Sequence, residues 1–180
     1  YPLLEEFARR GRWLGVYPQL DNCWRTVFPF TGPQFIRARM REFVSKGLRS
    51  VTGYATPSNK FWEFNVGAEA EWSWNSEGRD EKQFARAWGR RIGIQDVDTY
   101  AEWAITIGPV AWDLAGSHFP FRLFYHPDKL FWNPEAPDAH QPLTFGKDML
   151  AEIPSQEHLE KNLAQAQQAL QLAQRLGNAA

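Results

Sequence analysis

Apolar positions recur along this chain with two different periods. Residues 2–10 (PLLEEFARR) place Leu3, Leu4 and Phe7 on one helical face, and Gly11 stops the run. The stretch from Arg12 to Leu20 lacks helical spacing, is rich in β-forming residues and carries Pro18 near its end, which predicts a strand over about 13–17. Thr31, Gly32 and Pro33 then supply a cap and a first-turn proline. Phe35, Ile36, Met40, Phe43 and Val44 follow at intervals of three and four, until Gly47 closes the segment. Leu48 to Ala55 (LRSVTGYA) reads as a second short strand.

A strand, a helix and a strand in this order form a βαβ unit, whose strands must run parallel. Nothing after residue 56 continues the alternation. A parallel sheet needs more than two strands, so the missing ones are expected before Tyr1, in an upstream part of the same polypeptide. A first residue of Tyr rather than Met fits that expectation. The fold class that follows is α/β. The C-terminal βαβ portion of a (β/α) barrel occupies residues 1–75, and a mainly helical region occupies 76–180.

Beyond the βαβ unit, Asn59 to Trp74 reads as a helix weakened by Gly67, and Asp80 to Gln83 has the form of a capping box. That box opens a helix with Phe84, Trp88 and Ile92 along one face and Gly93 at its end. Asp96 caps another, through Tyr100, Ala104 and Ile107 to Gly108, and Pro109 is expected to restart a short helix to about Ala115. Between His118 and Pro154 six prolines interrupt aromatic residues, which predicts an ordered loop packed by its own rings over 118–154. Ser155 caps a last helix, with Leu159, Leu163, Ala166, Leu170 and Ala173 as its expected buried stripe.

Composition narrows the function. The 20 basic and 21 acidic residues nearly cancel, so no broad field favours nucleic acid or an anionic membrane. No apolar run approaches the length of a membrane span. Neutral partners are therefore expected. Cys23 is the lone cysteine, which excludes an internal disulfide and leaves the compartment open, a secreted or periplasmic location included. Nine Trp, thirteen Phe and five Tyr are more aromatic residues than a core of this size needs.

Ligands of barrels and open parallel sheets sit at the C-terminal ends of the strands. That rule selects residues 17–25 and 54–63, each of which mixes hydroxyl, amide, carboxylate and indole groups. Sugars present apolar C–H faces rimmed by hydroxyls, and such a mixture suits them. The candidate substrate-binding residues are Tyr17, Gln19, Asn22, Trp24, Tyr54 and Trp62. Asp21 and Glu63 are the candidate pair of carboxyl groups for glycoside hydrolysis. The competing reading makes Asp21 and Asn22 a turn, Ser58 and Asn59 a cap, and the Trp rings a structural cover. Glu69 and Glu71, two apart on a helix, point to different sides, and Trp72 and Trp74 are expected to anchor the helix end. The four His lack metal-ligand spacing, and there is no phosphate-binding glycine loop, GxGxxG or GxSxG. No metal or cofactor is expected.

The string from Asn65 to Asn75 (NVGAEAEWSWN), with Gly78-Arg-Asp80, Phe84-Ala85 and Ala87-Trp88 after it, resembles a segment of bacterial barrel glycosidases related to family 20 β-N-acetylhexosaminidases. There the chain leaves the barrel for a helical post-catalytic region. The resemblance spans residues 12–115 and implies a carbohydrate substrate, with Trp62 or Trp24 as walls of the sugar pocket. The family's catalytic Asp-Glu pair has no counterpart, since the one Asp-Glu dipeptide, Asp80-Glu81, opens a helix. No catalytic residue carries over. Two rival readings remain, a non-catalytic carbohydrate-binding or structural module and a helical protein-interaction domain.

Overall fold

The computed structural model describes residues 2–18, 20, 32–53, 59–116 and 155–178. Six helices and two strands lie among them. These are α1 (Pro2–Arg9), β1 (Gly15–Val16), α2 (Pro33–Ser45), β2 (Ser50–Val51), α3 (Asn59–Trp74), α4 (Glu81–Arg91), α5 (Val97–Gly116) and α6 (Gln156–Asn178). The protein is thus mainly helical with a small two-stranded parallel sheet, and the described residues form no barrel. The aromatic segment expected over 118–154 falls outside the described residues.

The strands are shorter than their apolar runs suggested, but they pair as a βαβ unit requires. Gly15 lies opposite Ser50 and Val16 opposite Val51 in parallel register. Arg49 N–H donates to Leu14 O and Thr52 N–H to Val16 O, both at 3.0 Å, which carries the ladder one residue past each strand. Between the strands, α2 begins with Pro33 at its first position, where the missing N–H costs nothing, and ends at Gly47 with φ of 73°. Its buried stripe is Pro33, Ile36 and Met40; Val44, expected inside, is exposed.

The core explains much of the aromatic excess. Phe64 and Trp72 of α3 meet Phe84 of α4 with ring centroids 5.2 and 5.1 Å apart, and Trp88 and Tyr100 complete the cluster. Leu20, Ile36, Met40, Ala68, Ala85, Ala101 and Ala104 fill in around these rings. Gly67 is what allows α3 and α4 to approach, because a Cβ there would run into the Trp88 ring. The Asp80 capping box forms as its sequence predicts, with Gln83 N–H donating to Asp80 Oδ1 at 2.7 Å and Asp80 N–H to Gln83 Oε1 at 3.0 Å.

Three expectations are corrected. Pro109 does not restart a helix; α5 runs unbroken from Val97 to Gly116 with the proline inside it. Proline at 109 removes the N–H that would bond to Ile105 O, and Gln34 of α2 replaces it, its Nε2–H donating to that carbonyl at 2.8 Å. The buried stripe of α6 is rotated from its leucines. Asn162, Ala169 and Leu172 are buried, whereas Leu159, Leu163 and Leu170 are exposed. The rotation follows from Asp113 of α5, whose Oδ2 lies 2.7 Å from His158 Nε2 and accepts from Asn162 Nδ2 at 2.8 Å. Finally, of the two tryptophans expected to anchor the end of α3 only Trp72 does so; it is fully buried and its Nε1–H donates to Arg79 O at 2.9 Å, while Trp74 is 91% exposed.

The Gln34 substitution for the missing backbone bond can be checked by a double-mutant cycle. Gln34→Ala strands a carbonyl and should cost about 1–2 kcal/mol in urea unfolding. In a Pro109→Ala background, where the backbone N–H returns, the same change should cost clearly less.

Candidate functional site

Because the strands are parallel, both chains leave the sheet at one edge. Leu20 and Gly53, which follow β1 and β2, are in contact there. The buried face of α3 carries Trp62, Asn65, Ala68, Glu69 and Trp72, and Asn65 and Glu69 reach this edge. Helical spacing alone puts these five on one side. Two of them are polar, and they define the site.

Asn65 is completely buried and uses both ends of its carboxamide. Nδ2 donates to Leu20 O at 2.8 Å, and Oδ1 accepts from Gly32 N–H at 3.2 Å. Leu20 and Gly32 are the two stems of the segment that carries Asp21, Asn22 and Trp24. One side chain therefore fixes where that segment leaves β1 and where it enters α2. The same bond serves Gly32 N–H at the start of α2, where no side chain caps the helix.

Glu69, one turn further along α3, lies against the backbone of Gly53. A Cβ at Gly53 would fall on the Glu69 carboxyl group and the Leu20 side chain, so only glycine fits there. Glu69 is 8% exposed, and its Oε1 has no hydrogen-bond partner among the described residues. Burial raises its pKa above the ordinary carboxylate value. Such a group keeps its proton to a higher pH than a surface glutamate does.

The sequence-predicted residues are placed as follows. Tyr17 directly follows β1 and is 64% exposed at the shared edge. Trp62 is 1% exposed, packed with Ala111, Phe35 and Trp112, where Phe35 and Trp112 stack at 3.8 Å. A stacking wall needs an open ring face, and Trp62 has none; its Nε1–H is buried with no partner among the described residues. Glu63 is exposed on another side of α3 from Asn65 and Glu69. Gln19, Asp21, Asn22, Trp24 and Tyr54 lie outside the described residues, so the Asp21 and Glu63 carboxyl groups are not brought together by anything described. Glu71 turns away from the edge and pairs with Arg79 Nη1 at 3.0 Å. Sequence reasoning missed Asn65 and Glu69. The available signal was two polar residues at core spacing on an otherwise apolar helix face. Among the described residues no three His, Cys, Asp or Glu side chains cluster closely enough to hold a metal ion, and no helix is long and apolar enough to cross a membrane.

Asn65→Ala deletes two buried hydrogen bonds and leaves their partners unmet, at a cost of roughly 2–4 kcal/mol by chemical unfolding. The pH dependence of Glu69 has a definite sign. Its pKa is higher folded than unfolded, so over that interval the folded form holds the extra proton and stability falls as pH rises. In Glu69→Gln that decline should disappear in melts run from acid to neutral pH. An unchanged pH profile would mean that Glu69 ionises freely where it stands.

No protein-family model matches this chain, and no curated protein or solved structure is significantly similar to it.

Proposed function

We propose that this chain supplies the closing strand–helix–strand unit of a (β/α) barrel glycoside hydrolase acting on a neutral or N-acetylated glycan. Its share is aromatic and polar contact with the substrate rather than the acid and base. The observation that carries this reading is the parallel register of β1 and β2, which brings the exits at Leu20 and Gly53 together at one edge. In barrels that edge is where ligands bind. The Asn65 tie supports it further, because a buried carboxamide holds both stems of the segment bearing Asp21, Asn22 and Trp24. Glu69 serves as a buried prop for Gly53, too deep to touch a sugar.

One feature favours a different reading. Leu159, Leu163 and Leu170 form an exposed stripe on α6, which suits a helical interaction domain. That alternative predicts self-association or partner binding with no response to sugars.

The discriminating assay is hydrolysis of aryl N-acetylglucosaminides and aryl glucosides by the native polypeptide. Tyr17→Ala should raise KM about tenfold, the worth of one good aromatic contact, with kcat little changed. No hydrolysis of either class, or a Tyr17 variant with unaltered kinetics, would remove the support for a sugar site at this edge.

A further inference from the structure

The end of α3 bears a second feature that does not depend on the strand edge. Trp74 closes α3 with its indole almost wholly in solvent. A single exposed tryptophan is ordinary, but this one borders an open cleft of about 660 Å³ between the end of α3, the turn that follows it and α4. None of the residues lining the cleft belongs to the sheet or touches Gly53. Ser73, beside Trp74, shares a small recess with Arg49 and Ser50 at the start of β2.

The polar groups of the cleft are fixed by bonds already made. Arg79 Nη1 lies 3.1 and 3.0 Å from the two carboxylate oxygens of Glu71, so a guanidinium and a carboxylate are held together with their charges cancelled. Asn75 Oδ1 accepts from Glu77 N–H at 3.2 Å, which orients the amide and leaves Nδ2–H without a partner among the described residues. The Trp88 ring is covered by the Arg91 guanidinium, 5.3 Å from its centroid. Trp74 is therefore the indole with an open face. A broad apolar ring beside the Asn75 amide and the mutually neutralised Glu71–Arg79 pair matches a pyranose, whose C–H face stacks while its hydroxyls bond to the rim. Arg91, laid over Trp88, is the remaining charged side chain of the cleft.

We propose that this cleft is an oligosaccharide-binding site of its own, with Trp74 as the stacking platform and Asn75, Arg79 and Glu71 as the hydroxyl-binding rim. It can hold a stretch of the same glycan chain away from the strand edge, and it stands whether or not the polypeptide hydrolyses anything.

The test is an NMR titration of the indole N–H signals of the full chain with cellohexaose and, separately, N-acetylchitohexaose. The Trp74 signal is assigned by its loss in Trp74→Phe. A saturable shift of that signal with either probe is expected. Binding should weaken about tenfold in Trp74→Ala and by much less in Trp74→Phe, which keeps a ring. Because Trp74 is exposed, both variants should retain the wild-type circular dichroism and melting temperature; Asn75→Ala, which weakens the rim without touching the ring, gives an independent loss of affinity. Tyr17→Ala, at the strand-end edge, should leave this binding intact. The proposal is overturned if neither probe moves the Trp74 signal, or if Trp74→Ala binds as tightly as wild type. It is equally overturned if sedimentation shows Trp74-dependent self-association with no sugar response, which would make the cleft a protein contact.

Discussion

The buried carboxamide of Asn65 is the tie on which the rest of this architecture depends. A two-stranded parallel sheet of two residues per strand has too few backbone bonds to hold a strand–helix–strand unit in place. Asn65 adds two bonds from a third element, one to the chain leaving β1 and one to the chain entering α2. α3 is thereby locked across the unit. Both bonds are inaccessible to water, so neither partner can be satisfied another way if the side chain is lost.

With α3 fixed, its inner face sets the packing of everything that follows. Trp72 and Phe64 seat α4 through Phe84, and Gly67 lets Trp88 come close enough to close the joint. α5 then packs on α4 and α2, held to α2 by Gln34 at the carbonyl that Pro109 leaves unbonded. The same logic reaches α6, where Asp113 draws His158 and Asn162 to α5 and so turns the leucines outward. At each joint a polar group with a specific partner decides orientation, while the rings supply the bulk of the buried area.

This arrangement separates two surfaces. The strand-end edge is built on buried polar support, with Asn65 and Glu69 beneath it, and Tyr17 is its described aromatic face. The end of α3 presents Trp74 beside a cleft in which the charges of Glu71 and Arg79 cancel. The carbohydrate readings proposed for both surfaces rest on these exposed aromatic faces beside fixed polar groups.

Much of the fold is local and could be read directly from residues. The Asp80 box, the Asp96 and Ser155 caps, the proline start of α2 and the glycine ends at 47 and 93 act within one or two turns, so spacing alone reveals them. The parallel pairing of the two strands also followed from their order, since a helical crossover permits no other. Contacts between distant elements were not legible. Pro109 looked like a break because the compensating donor, Gln34, lies 71 residues from the Ile105 carbonyl that it serves. Trp62 was expected as an open wall of a sugar pocket and Trp74 as an anchor of the helix end, yet Trp62 is sealed under α2 and α5 and Trp74 stands in solvent. Asn65 and Glu69 read as two polar letters in a helix until the strand ends were folded against them. The sequence by itself determined most of the helices, their caps and the direction of the strands, because those depend on neighbours along the chain. Only the tertiary structure decided which polar groups were buried and which rings were left open, because both depend on what a distant element brings to the same place.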